Sequence, residues 1–114
     1  MSEAQKADTK QGVLQDRIEM MRAHAPDAAG LMKALGNESR LMILCTLAEG
    51  ERSVGELNAM IPLSQSALSQ QLARLRTQGI VKTRRESQTI YYSLASGPAD
   101  KVNHLLHDIY CGTD

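Results

Sequence analysis

Apolar residues recur along this chain mostly at helical spacing. Over residues 11–25, Leu14, Ile18 and Met21 share one face. Pro26 is expected to interrupt that helix and Asp27 to cap the next, in which Ala28, Leu31, Met32 and Leu35 align. Gly36-Asn37 reads as a stop signal. The run "LMILCTLA" is apolar on nearly every side, which predicts a helix over about 38–49, buried in the middle of the domain and ended by Gly50. Ser53 and Glu56 have the S-x-x-E spacing of a capping box and open a short helix with Val54, Leu57 and Met60. Pro62 stops it, and Ser64 can cap another helix from Gln65. There the stripe Ala67, Leu68, Leu72 and Leu75 opposes Gln65, Ser66, Ser69, Gln70, Arg74 and Gln78, and Gly79 ends the run. The period then changes. "IVKTRR" and "TIYYSL" flank "ESQ", and their β-branched and Tyr content predicts a hairpin. A last helix is expected from about Pro98 to Cys111, with Val102, Leu105, Leu106 and Ile109 as its stripe. Residues 1–10 are polar and without periodicity, so they read as a disordered tail ahead of one domain over 11–114.

Composition narrows the class. The chain has 114 residues with neither Trp nor Phe, so its core must come from Leu, Ile, Met, Ala and Val. There is no run of about 18 apolar residues that would span a membrane. The start of the chain lacks the apolar centre of a signal peptide, and a cytoplasmic location is expected. In that reducing compartment the two cysteines are not expected to form a constitutive structural disulfide. Formal net charge is zero, which at first argues against a polyanionic partner. The distribution argues the other way. No Asp or Glu lies between Glu56 and Glu86, while Arg74, Arg76, Lys82, Arg84 and Arg85 do. The field near one face, rather than the total, governs attraction to a polyanion. The plainer reading, a solvated basic face, fits charge alone.

Helix, tight turn, helix and basic hairpin is the order of a winged helix-turn-helix. Short polar side chains at the head of the second helix suit close approach to a major groove, where a carboxylate would meet phosphate. Ser64, Gln65, Ser66, Ser69 and Gln70 are therefore the expected DNA-facing residues. Arg74 and Arg76 are better placed for phosphates, and Lys82, Arg84, Arg85 and Gln88 populate the wing and should make mostly backbone contacts. Three histidines without a nucleophile–base–acid set, a Gly-rich loop or paired carboxylates give no catalytic constellation. No enzyme and no cofactor are expected.

"LMKALGNESRLMILCTLAEGERSVGELN" followed by "LSQSALSQQLARLRTQGIVKTRRESQTIYYSL" resembles the ArsR family of winged-helix repressors over residues 27–111. The resemblance implies a mainly α fold with a β-hairpin wing, ordered as five helices, two strands and a sixth helix. It also implies a homodimer, joined through the first and last helices, on palindromic double-stranded operator DNA. Many members sense metals. One family site uses a C-x-C pattern on the brace helix, where this chain reads "SVGELNAM". Another pairs an Asp-x-His with a later His-x-x-His. His104 and His107 supply the later half, while Tyr91 and Ser93 stand near the earlier one and are not ligands. Zinc normally takes four ligands. A metal-sensing repressor using His104 and His107 is therefore the alternative reading, and no metal is expected. Cys45 and Cys111, with "LMILC-L", "VGEL" and "-YC", resemble the BigR/SqrR/YgaV/HlyU-like dithiol subgroup. That likeness implies sensing of persulfides, other reactive sulfur species or oxidants through a linked Cys45–Cys111 pair, with loss of DNA affinity. The chain departs from the subgroup at Gln71, where His is common. Arg40 and Lys33 are candidates to polarise Cys45.

Overall fold

The chain begins with α1, Glu3–Leu35, an unbroken helix through Pro26. The computed structural model describes residues 3–112, and side chains from Lys10 onward. The expected break at Pro26 does not occur, so there are five helices rather than six, and Asp27 lies inside a helix instead of capping one. Proline in a helix interior forgoes one backbone hydrogen bond. Here the flanking Ala23, Ala25, Ala28 and Ala29 are the best helix formers, and residues 22–26 are exposed, so water can serve the freed carbonyl. The stretch expected as a tail, residues 1–10, is drawn into α1 from Glu3; Met1 and Ser2 lie outside the described residues.

The remaining elements are α2 (Glu38–Ala48), β1 (Arg52–Ser53), α3 (Val54–Met60), α4 (Gln65–Thr77), β2 (Val81–Glu86), β3 (Thr89–Leu94) and α5 (Pro98–Cys111). This is a mainly helical winged helix-turn-helix, as expected. Contacts divide the chain into two units, residues 1–32 and 33–114. In the second, α2 packs on α5 and β3, α3 on α4, and α4 on β2. The core is Ile43, Leu44 and Leu47 of α2, Leu57 of α3, and Leu68, Leu72 and Leu75 of α4. Each such side chain contributes about 1.5–3 kcal/mol by burial. α2 buries one face only: Met42 is exposed and Cys45 half-buried. Among the described residues no Met or Cys is buried, and Met20, Met21, Met32, Met42 and Met60 are all exposed.

The sheet has three antiparallel strands in the order β1-β3-β2. The two-residue β1 carries no readable pattern and is defined by its pairing, Arg52 with Tyr92 and Ser53 with Tyr91. The hairpin pairs Val81 with Leu94 through Glu86 with Thr89, leaving Ser87 and Gln88 as the turn. Ser87 adopts φ 59°, a left-handed conformation normally given to Gly.

Candidate nucleic-acid interface

Each border of α4 is fixed by local chemistry. Ser64 caps it: the Ala67 N–H donates to Ser64 Oγ at 3.1 Å. At the far end Gly79 N–H donates to Arg76 O at 3.0 Å and Ile80 N–H to Leu75 O at 2.9 Å. Gly79, at φ 74°, completes this Schellman ending. The preceding α3 starts with the full capping box: Glu56 N–H donates to Ser53 Oγ and Ser53 N–H to Glu56 Oε1. Hydrogen bonding from Ser53, first from its backbone N–H and then from its side chain, holds the Glu56 carboxyl below the usual carboxylate range. Asn37, read from sequence only as part of a stop, also caps α2 by accepting from the Arg40 N–H at 3.0 Å.

With Leu68, Leu72 and Leu75 buried, the face of α4 directly opposite carries Ser66, Gln70, Ala73 and Thr77 at i, i+4, i+7 and i+11. Gln65 and Ser69 flank it. Ala73 escaped the sequence reading because it is not polar, yet a small residue there lets the helix approach a groove closely. All eleven expected contact residues, Ser64, Gln65, Ser66, Ser69, Gln70, Arg74, Arg76, Lys82, Arg84, Arg85 and Gln88, are exposed. The first turn of α4 carries no acidic residue. Its free N–H groups and the Ser and Gln side chains can meet phosphate and base edges.

The wing arginines differ. Alternation along β2 puts Lys82, Arg84 and Glu86 on one sheet face and Arg85 on the other, the face of buried Val81. Arg84 is gripped by Glu51, 2.7 Å to Oε1 and 3.1 Å to Oε2, and by Glu86 at 2.9 Å. Its guanidinium stands 4.7 Å over the Tyr91 ring. Hydrogen bonding to Arg84 lowers the Glu51 pKa, and hydrogen bonds to Glu51 and then Glu86 raise that of Arg84. Sequence reading grouped Arg84 with the phosphate-binding cations; in the structure it is paired with two carboxylates, Glu51 and Glu86, so this cluster is net negative. Arg85 instead donates Nε to Ser87 O at 3.1 Å, with no acidic partner among the described residues.

A family model, "Bacterial regulatory protein, arsR family", matches residues 37–83, from the cap of α2 into β2. The transcriptional activator HlyU of Vibrio cholerae is 49% identical over 94 residues, covering 82% of this chain and 87% of that protein. The biofilm growth-associated repressor of Agrobacterium fabrum is 47% identical, covering 82% and 80%. The chain belongs to the ArsR family. The solved structure of reduced HlyU from Vibrio cholerae superposes on this ArsR-family chain with a TM-score of 0.77 at 49% identity, covering 82% of this chain and 98% of that one. The protein is thus a DNA-binding transcriptional regulator and not an enzyme.

The second set of expected residues lies on the α2–α5 side of this ArsR-family fold. Cys45 is on α2 and Cys111 at the end of α5; both are free, the first half-buried and the second exposed. Arg40 is turned to other partners: its guanidinium donates to Ala34 O, Lys33 O and Gln71 Oε1. His104 and His107 are exposed on α5, and His104 Nε2 lies 3.4 Å from Asp100 Oδ1. Among the described residues of one chain, no group of three or more His, Cys, Asp or Glu is gathered that could hold a metal ion. No described helix is long and apolar enough to cross a membrane.

Proposed function

We propose that this ArsR-family regulator is a cytoplasmic repressor whose DNA affinity is switched by linking Cys45 to Cys111. The observation that carries the reading is the seating of both free thiols on α2 and α5, two helices packed against each other. The solved relative named as reduced HlyU is in keeping with a thiol-controlled member. In this reading Gln65, Ser66, Ser69 and Gln70 read the major groove. Ser64, Arg74, Arg76, Lys82, Arg85 and Gln88 hold phosphates, and Arg84 orders the wing.

The chemistry balances without a cofactor. The Cys45 thiolate attacks the outer sulfur of a persulfide RS–SH, giving Cys45–S–SH and RS⁻. The Cys111 thiolate then attacks the Cys45 sulfur, forming the disulfide and expelling HS⁻. A second sulfur transfer before closure leaves one extra sulfur atom in the link. With a peroxide, the O–O bond breaks, a sulfenic acid forms, and the second thiol displaces water. A direct disulfide needs Cα atoms about 4.4–6.8 Å apart, so a wider gap favours the longer bridge.

The protein acts as a homodimer in this reading. Leu105 and Ile109 of α5 are 57% and 59% exposed, an apolar stripe open to solvent, and Leu14, Ile18 and Met21 leave another on α1. A dimer on a palindrome must hold two α4 helices about 34–36 Å apart. Drawing α5 and α2 together tilts α4 in both protomers and spoils that spacing. The test compares reduced protein with protein treated with a persulfide donor on a duplex selected by the wild type. Treated protein should release DNA, with both thiols blocked to alkylation and a mass showing the link. Cys45→Ser and Cys111→Ser should stay bound. A Cys45→Ser protein that lets go of DNA on treatment overturns the switch.

A further inference from the structure

Arg40 occupies the third position of α2, a poor place for a cation next to the helix dipole. Its side chain leaves that helix. Nε donates to Ala34 O at 2.6 Å and Nη2 to Lys33 O at 3.1 Å, both carbonyls of the last turn of α1. Such carbonyls lack helical partners and attract cations. The third bond reaches much further in sequence: Nη1 donates to Gln71 Oε1 of α4 at 3.2 Å. Arg40 is half-buried and has no carboxylate partner among the described residues, so three neutral oxygens hold its charge. Gln71 is half-buried too, on the flank of α4 between the leucine stripe and the exposed face, next to Gln70.

A guanidinium is a rigid planar fork. Two of its bonds fix it to the corner between α1 and α2, and the third then restrains rotation of α4 about its own axis. With a radius of about 5–6 Å to the side chains, turning α4 by about 20° would move Ser66 and Gln70 by about 2 Å, enough to break a base contact. We propose that Arg40 is a positioning residue for sequence reading: through Gln71 it sets which face of α4 meets the groove, and ties that setting to α2, the helix that carries Cys45. This rests on α4 being the reading helix.

The test uses full-length wild type, Gln71→Leu, Arg40→Lys and the double variant. The probes are a duplex enriched by the wild type from a random pool and an unselected duplex of equal length. Gln71→Leu should melt near the wild-type temperature and bind unselected DNA with unchanged affinity and salt slope. It should bind the enriched duplex about tenfold more weakly, the loss of one charge-assisted hydrogen bond. Arg40→Lys keeps the charge but not the fork and should lose similarly. The double variant should be no worse than Gln71→Leu, because both remove one link. Full affinity of Gln71→Leu for the enriched duplex, equal losses on both duplexes, or strictly additive losses in the double variant would each overturn the proposal, and Gln71→Leu alone decides if Arg40→Lys fails to fold. A wild type that enriches no sequence would instead overturn the reading of α4 itself.

Discussion

Replacing the adjacent arginines of the wing one at a time should give two different results. Arg84 already has three short bonds to Glu51 and Glu86, and leaving them for a phosphate would expose two carboxylates beside DNA. Arg85 uses one nitrogen to close the turn at Ser87, which leaves both Nη groups aimed by the hairpin and available to an anion. Each phosphate contact contributes about 0.9 to the slope of log K against log salt. Arg85→Ala should therefore make the slope shallower by about 0.9 per protomer, or about 1.8 for a dimer on two half-sites. Over a fourfold rise in salt, from about 50 to 200 mM, the wild-type advantage should shrink about 3.5-fold per contact, about twelvefold for two. Arg84→Ala should weaken binding through a looser wing and leave the slope in place. The assay is fluorescence anisotropy of a labelled duplex across that salt range. A slope change in Arg84→Ala as large as in Arg85→Ala would refute the assignment, since it would mean Arg84 trades its glutamates for phosphate.

Gln70→Ala should cost roughly 1–3 kcal/mol on a duplex selected by the wild type and little on unselected DNA, measured by competition binding. Equal losses on both would make Gln70 a backbone contact and move the reading face along the helix. Acidification should loosen the wing. The Glu51 carboxyl is held below its ordinary range by hydrogen bonds from Arg84, so its stabilisation is present above the unfolded carboxylate pKa and lost as pH falls through the folded value. An NMR titration of the Arg84 Nε–H and the Tyr91 ring should show release only at a pH below the ordinary range of a Glu carboxyl, and Glu51→Gln should show the released signals already at neutral pH.

Much of the fold was legible because its borders are local. Ser53 with Glu56, Ser64 with Ala67, and Gly79 with Ile80 each close over three to five residues, within reach of a motif. The stripe Leu68, Leu72 and Leu75 is periodic and came out buried as expected. What escaped depends on long range or on context. β1 exists because β3 returns beside it. Pro26 was expected to break a helix that its alanine-rich, exposed surroundings sustain. The partners of Arg84 and Gln71 lie 33 and 31 residues away, so no spacing rule joins Glu51 to Arg84 or Arg40 to Gln71. The acid-free interval was a true signal of where cations cluster in sequence. It could not show that Glu51 and Glu86, just outside it, fold back and neutralise one of them.

The absence of sulfur from the buried core of the described residues has a bearing on endurance. Peroxides and sulfane donors attack sulfur, and a thioether turned to sulfoxide inside a protein would force an oxygen among methyl groups. In this chain that oxygen would arrive in water at Met42 and Met60, while the Ile, Leu, Val and Ala side chains that carry the fold offer the reagent nothing to oxidise. A dose that converts the exposed methionines to sulfoxides should leave the melting transition nearly where it was. Methionine oxidation and structural collapse are thereby expected to be uncoupled in this chain.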